Sequence, residues 1–358
     1  MSHTTIDSPT SSALDRLCER LADAATDLNG ADAWPAEQLR WCGESGVYRW
    51  FFPFEHGGVD WSAADIYRGY LRLSAACLTT TFVITQSMGA CNRMIASQAT
   101  ECQRWLPGLM DGSVFATLGI SHLTTSRQHV APVLQAAPSG DGGYLLNGYC
   151  PWVTGGRKAD LLVIGATLSD SRQIMAVVDT KSAGVQAPQH VELVALTASQ
   201  TGMVEFSDTW IPGSSVLAGP VEQVMKQGVG GRTGGLQTSI LATGLAGTAS
   251  RYLNQEARRR PNMLEVADEF AQQVDLLERE LLAAADGSTE HTNEELRTRA
   301  NSLVLRATQA AMTAAKGAGY AARHPVGRWC REALFFLVWS CPEPVLYANL
   351  CELAQFGD

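Results

Sequence analysis

No apolar run in this 358-residue chain approaches the ~20 residues that cross a bilayer; the longest near the C-terminus, Ala333 to Cys341, is about nine. The stretch from Met1 to Ser12 is polar and rich in Ser and Thr, without the basic-then-apolar order of a secretory signal. The nine cysteines are an odd number and include no C-x-x-C pair. That excludes a disulfide scaffold and a zinc ribbon, and implies a reduced, cytoplasmic chain whose thiols serve as small core residues. Positive charge is in deficit: 27 Lys and Arg stand against 36 Asp and Glu, a formal net charge of −9. This balance argues against a nucleic-acid partner and against attachment to anionic lipid by charge. The seven histidines form neither H-E-x-x-H nor any paired metal spacing, so no metal site is expected. G-x-S-x-G and G-x-x-x-x-G-K-[ST] are also absent, which removes the hydrolase elbow and the phosphate loop.

What is present is enough apolar sequence, 46% against 18% charged, to bury a large core. It falls into three regimes. Residues 1–112 read as a helical domain. Leu14, Leu17, Leu21, Ala24, Ala25 and Leu28 recur at spacings of three and four, which is one helix face. Trp34-Pro35 opens a second helix with Pro at its first position, and Ser62-x-x-Asp65 resembles the N-cap of a third. Thr81 to Ile84 has strand propensity but sits in a helical context. Residues 113–216 change period to short β-type runs, Tyr144–Leu146, Leu161–Ile164, Ile174–Val178 and Met203–Phe206, separated by turn clusters such as Asn147-Gly148 and Pro212-Gly213. They predict an antiparallel β domain. Residues 217–358 return to helices. Val266, Phe270, Val274, Leu277 and Leu281 form one stripe, and Leu303, Ala307, Ala310, Ala311 and Ala314 another, which begins after the capping box Thr292-x-x-Glu295. The expected fold class is α+β: an N-terminal helical domain, a central antiparallel β domain and a C-terminal four-helix bundle.

Two strings invite a binding role and have simpler explanations. The glycine-rich run Gly228–Gly235 lacks the strand–turn–helix context of a phosphate loop and reads as a mobile lead-in to the helix that follows. Arg258-Arg259-Arg260 lies just before Pro261, where cations complement a helix C-terminus.

The α–β–α order and the strings at its joints resemble the acyl-CoA dehydrogenase family of flavoproteins over nearly the whole chain. The strings are Trp34-Pro35, Gly46-Val47, Pro53 to Gly58 and Leu106-Pro107 to Gly112; then Tyr144 to Gly148, Trp152-Val153-Thr154-Gly155, Ala159 to Val163 and Val204 to Pro212; and last Gly317 to Tyr320, His324-Pro325, Arg328 and Arg331-Glu332-Ala333. No one string is specific; their order and spacing are. The resemblance implies FAD between the β domain and the C-terminal bundle, with an acyl thioester on its other side. It assigns Trp152 to the isoalloxazine wall and Thr154 to a hydrogen bond near flavin N5. Arg258 or Arg259 falls on an arginine that meets the FAD pyrophosphate of a neighbouring subunit, and Gly317 to Gly319 on a loop that approaches the dinucleotide. An acyl-CoA substrate, a homodimer or homotetramer, and an electron-accepting flavoprotein partner are implied with them.

The pattern breaks at the base. Such a dehydrogenase takes a proton from the carbon next to the thioester while hydride leaves for N5. The family's base position falls on Ser340 and its alternative position on about Gln237; neither is a base. The family's Thr-Glu-Pro…Gly-Ser-Asp string is replaced by Gly119-Ile120-Ser121-His122-Leu123-Thr124-Thr125-Ser126-Arg127, which puts Ser121 and His122 at the expected flavin face. Glu343 lies three residues past Ser340. The expected activity is α,β-dehydrogenation of an acyl thioester with Glu343 or His122 as base. The alternatives are a flavin-dependent monooxygenase of the same fold, with Ser121 and His122 beside the reduced flavin and a non-thioester substrate, or a non-catalytic relic that binds flavin or acyl groups.

Overall fold

The computed structural model describes residues 5–30, 32–97, 99–123, 132–228, 235–339 and 341–356. Helix α1, Ser12–Ala24, buries Leu14, Leu17 and Leu21, and Ser11 caps it by accepting from the Leu14 N–H. Ala24 is only half-buried while Ala25 is buried, because the chain tightens there into a 3₁₀ turn, Ala25–Asn29. Helix α2 spans Ala36–Glu44, and Pro35 is its N-cap, one position earlier than the sequence suggests. Helix α3, Ala63–Ala76, starts where Ser62 accepts the Asp65 N–H at 3.1 Å. Helix α4, Leu78–Ala96, buries every residue from Leu78 to Thr85. Its threonines do not force a strand because their hydroxyls are satisfied locally: Thr81 donates to Cys77 O at 2.8 Å and Thr85 to Phe82 O at 2.7 Å. Short helices α5, Thr100–Gln103, and α6, Leu106–Asp111, lead into the sheet.

The strands are β1 Ala116–Gly119, β2 Leu134–Pro138, β3 Tyr144–Val153, β4 Leu161–Thr167, β5 Gln173–Asp179, β6 Val185–Gln186, β7 Gly202–Ile211 and β8 Val216–Val221. They form one sheet in the order β6-β7-β3-β2-β4-β5-β8, with β1 also paired to β4. Pairing is antiparallel except at β4, which β1 joins in parallel from Ala116↔Leu161 to Gly119↔Ile164, and β2 joins at Gln135↔Thr167. Strand β4 is buried along its whole length. This explains its unbroken apolar run, as expected for a strand covered on both faces.

The C-terminal part holds α7 Gln237–Ala257, α8 Leu264–Ala285, α9 Asn293–Gly319, α10 Pro325–Leu334 and α11 Glu343–Ala354. The Thr292–Glu295 capping box forms in full at the start of α9. On α8, Val274, Leu277 and Leu281 are buried, whereas Val266 is 54% exposed, so the apolar stripe extends beyond the packed face. The Gly228–Gly235 run is described only at Gly228 and Gly235; positions 229–234 lie outside the described residues. No helix among the described residues is long and apolar enough to cross a membrane.

Helices α3 and α7 pack closely. Thr248 donates across the contact to Ala75 O at 2.7 Å. A Cβ on Gly244 would lie 2.1 Å from Ser74 Oγ and 2.6 Å from the Leu71 carbonyl. Gly244→Ala is therefore expected to lower the urea midpoint, costing about 1–3 kcal/mol by overpacking, with the m-value unchanged because the surface exposed on unfolding is the same.

Candidate functional site

The ends of β1 and β3 meet through side-chain bonds to backbone. Cys150 Sγ donates to Gly119 O at 3.1 Å, and Thr117 Oγ1 to Thr154 O at 2.8 Å. Just beyond β3, Thr154 is buried and starts a chain of hydroxyls: its Oγ1 is 3.1 Å from Thr201 Oγ1, which is 2.8 Å from Ser199 Oγ. A hydroxyl offers one donor and two acceptor sites, so Thr154 keeps capacity for one more partner. Two residues earlier, Trp152 leaves 53% of its surface exposed. A half-exposed flat apolar ring at a strand end, two residues before a fixed buried hydroxyl, offers the apolar face and the polar atom that a planar heterocycle needs. The loop leading into α2 contacts this end. Gln200 Nε2 donates to Asp32 O at 3.2 Å and Ala33 O at 3.1 Å, and Trp34 packs edge-on against Phe115 with centroids 5.5 Å apart.

Ser121–Leu123 form a 3₁₀ turn directly after β1, beside β3. Gly165 lies between the part of β4 paired with β1 and the part paired with β2, and its carbonyl takes a hydrogen bond from His122 Nε2 at 2.8 Å. A carbonyl only accepts, so Nε2 carries the proton and Nδ1 keeps a lone pair in the neutral ring. That Nδ1 is buried and has no hydrogen-bond partner among the described residues. Burial pushes the His122 pKa below its usual 6.5, with the Gly165 bond opposing less strongly, so the ring is neutral at pH 7. Leu123 packs closely over Gly165: a Cβ there would lie 2.2 Å from Leu123 Cδ1, so that side chain would have to move. Ser121 is half-buried at the start of the same turn, and Thr124 to Arg127 lie outside the described residues.

The remaining sequence candidates are spread over the C-terminal helices. Arg258 caps α7. Arg258 and Arg259 are exposed, Arg259 with only a 3.7 Å contact to Glu256. Arg260 is the one held inside, bonded to Glu256 and, at 2.7 Å, to Ala314 O of α9; no local sequence signal separates it from its two neighbours. Gly317 is exposed with open space around it, whereas Gly319 is buried where a Cβ would lie 2.7 Å from Ala315 Cβ. Gly317 is thus free to approach a ligand, while Gly319 packs within its own helix. Glu343 is the exposed first residue of α11 and makes no side-chain hydrogen bond or ion pair among the described residues. Gln237 opens α7, half-buried, and Ser340 lies outside the described residues.

Two cavities lie elsewhere. A groove of about 630 Å³ borders Pro9, Trp61 and Arg68, and one of about 280 Å³ separates α5 from the sheet near Trp105 and Trp210. Among the described residues no cluster of His, Cys, Asp and Glu could hold a metal.

Residues 11–113 match the family model for the acyl-CoA dehydrogenase N-terminal domain. A mitochondrial 2-methylacyl-CoA dehydrogenase from Solanum tuberosum is 24% identical over 355 residues, covering 89% of this chain and 82% of its own. Among solved structures, butyryl-CoA dehydrogenase from Megasphaera elsdenii aligns with a TM-score of 0.81 and 17% identity, covering 96% of this chain and 97% of its own. Dibenzothiophene monooxygenase TdsC from Paenibacillus sp. A11-2, also solved with FMN bound, aligns with a TM-score of 0.77 and 19% identity, covering 97% of each chain.

The buried neutral His122 carries a pH signature. Unfolded, it titrates near 6.5; folded, its pKa is lower. Below about pH 6.5 the unfolded chain binds more protons, so the native state loses stability as pH falls. Urea titrations are expected to show that acidification from neutral pH costs the wild type more than His122→Gln, with the two curves parallel above that range.

Proposed function

We propose that this chain, which belongs to the acyl-CoA dehydrogenase family, is a flavin-dependent oxidoreductase that dehydrogenates an acyl thioester between the α and β carbons. The observation that carries this reading is the pairing of half-exposed Trp152 with buried Thr154 at the end of β3. When bound, the flavin supplies the hydride acceptor at N5. In this reading the cofactor is FAD, with FMN as the alternative.

Each residue then has a task set by its place. Trp152 offers the ring an apolar face, and Thr154 holds a polar atom beside it in an orientation fixed by Thr201. Ser121 adds a hydroxyl on the β1 side. The exposed Arg259 is available to the phosphates of a neighbouring subunit's cofactor, and the open Gly317 lets backbone approach the dinucleotide. Of the two candidate bases, His122 stands next to β1 and β3, while Glu343 stands exposed on α11. The His122 Nδ1 lone pair accepts the α proton while Nε2–H remains on the Gly165 carbonyl. Its low pKa leaves it unprotonated, and so ready, throughout the neutral range. An acyl-CoA substrate, assembly as a homodimer or homotetramer, and an electron-accepting flavoprotein partner complete the reading.

A second reading, oxygen transfer from reduced flavin to a non-thioester substrate, draws support from Gln237 at one family base position and from the fold shared with TdsC. The two separate under anaerobic conditions. With FAD loaded and an acyl-CoA panel added, dehydrogenation is expected to bleach the flavin's visible band with one chain-length class; no bleaching by any thioester, despite stoichiometric flavin, would overturn it. His122→Ala is expected to slow bleaching by about 100-fold or more, the usual scale for losing a general base. Glu343→Gln is expected to leave the rate within about twofold, as for an exposed side chain away from the chemistry.

A further inference from the structure

Three charged residues are buried among the described residues: Arg93, Arg297 and Glu332. Arg297 on α9 is 5% exposed, and no carboxylate pairs with it among the described residues. An unpaired buried cation is costly, so its contacts matter. Its Nη2 donates to Phe336 O at 3.2 Å and to Trp339 O at 2.9 Å, while Nε and Nη1 have no hydrogen-bond partner among the described residues. One turn further along α9, Asn301 Nδ2 donates to the same Phe336 carbonyl at 3.1 Å. Phe336 lies in the 3₁₀ extension of α10, Phe335–Leu337, and Trp339 two residues past it, at a helix end where unsatisfied carbonyls carry partial negative charge. Burial pushes the Arg297 pKa down to about 10, which leaves it charged at neutral pH. Arg297 and Asn301 therefore cap that helix end from a different helix.

The capped segment ends in an aromatic cluster. Phe335 and Trp339 stack with centroids 4.8 Å apart and planes at 21°. Phe82 of α4 meets both edge-on, each at 4.9 Å. Trp339 immediately precedes Ser340, the position that matches the family's base. The turn also has bonds of its own, with Trp339 N–H donating to Phe335 O at 2.9 Å. Without the guanidinium, the carbonyls of Phe336 and Trp339 would lose their charged donor, and nothing else among the described residues binds the Trp339 carbonyl.

We infer that Arg297 is a positioning residue: it fixes the Phe335–Trp339 turn, and through it the Trp339 ring packed on Phe82 of α4, one residue before the position that matches the family's base. This rests on the reading of the protein as a flavin oxidoreductase for its effect on turnover, but not for the clamp itself.

The test uses the full-length, flavin-loaded protein with Arg297→Met, Arg297→Lys, Trp339→Ala and the double variant Arg297→Met/Trp339→Ala. Hydrogen exchange comes first, because it needs no turnover. In Arg297→Met the amides of residues 335–339 are expected to exchange at least tenfold faster, with α7 and the sheet unchanged and Lys restoring most of the protection. Unchanged exchange at 335–339, or equal acceleration throughout the chain, overturns the clamp. Thioester-driven bleaching is the second readout. Arg297→Met is expected to slow it at least tenfold at saturating thioester with flavin affinity within twofold, and to add no further loss in the Trp339→Ala background. Additive losses overturn the claim that Arg297 acts through Trp339. Should Arg297→Met not fold, Arg297→Lys and Trp339→Ala carry the test: intermediate exchange in the first and slowed bleaching in the second support the inference, and wild-type behaviour in both overturns it. A wild type that no thioester bleaches defeats the functional reading alone, while the exchange result still decides the clamp.

Discussion

The near-complete burial of α4 is the constraint on which the rest of the structure depends. From Leu78 to Met94 most of its side chains face protein on one side or another. It lies against β1, where Leu118 reaches Gly89, against the C-terminal helices through Phe82, and beside α3. Each fully buried large apolar side chain contributes about 1.5–3 kcal/mol. Each buried hydroxyl costs unless bonded, and Thr81 and Thr85 of α4 donate to the carbonyls of Cys77 and Phe82. One helix therefore joins the N-terminal helices, the sheet and the C-terminal helices, and a change in its seating is felt at the ends of β1 and α10 together.

That geometry accounts for where chemistry gathers. Strand β1 is short and stops after Gly119, which frees the chain to turn over β4 and set His122 on the Gly165 carbonyl. Strand β3 runs longer and ends in Trp152 and Thr154. Thr117 of β1 donates to the Thr154 carbonyl and Cys150 of β3 to the Gly119 carbonyl, so the exposed ring and the buried hydroxyl chain lie toward the start of β1 and the neutral imidazole follows its other end. In the C-terminal helices, Arg297 holds the Phe335–Trp339 turn by its bonds to the Phe336 and Trp339 carbonyls. Under the proposed function, the fixed strand ends would supply the positional accuracy that hydride and proton transfer demand.

Much of this was legible in the sequence where periodicity is local. The stripes of α1 and α9, the Ser62 and Thr292 caps, and the apolar runs of β4 and β5 follow directly from spacing, and the family strings supplied their order. The places that were not legible depend on contacts distant in sequence. The parallel seat of β1 on β4 carries no period of its own. Val266 continues the α8 pattern but faces out, because a stripe does not say how far its partner extends. For the proposed site, Trp152 and Thr154 come from the strings around them, whereas the contacts of Arg260 and Arg297 have no such signal. A buried arginine looks like any other arginine until the carbonyls it binds, 54 and about 40 residues away, are brought to it. Glu343, chosen for its nearness in sequence to Ser340, shows the reverse: three residues of separation place it on a new helix, facing solvent.

The central claim is that a flavin ring lies against Trp152 beside Thr154. The most direct test is a titration of FAD, and in parallel FMN, into the purified wild type and into Trp152→Ala and Thr154→Val, following flavin fluorescence. The account predicts one flavin per chain, strong quenching by the indole in the wild type, loss of that quenching in Trp152→Ala, and affinity weakened about tenfold or more in each variant, which corresponds to about 1.4 kcal/mol. Unchanged affinity and quenching in both variants would contradict it and place the flavin elsewhere.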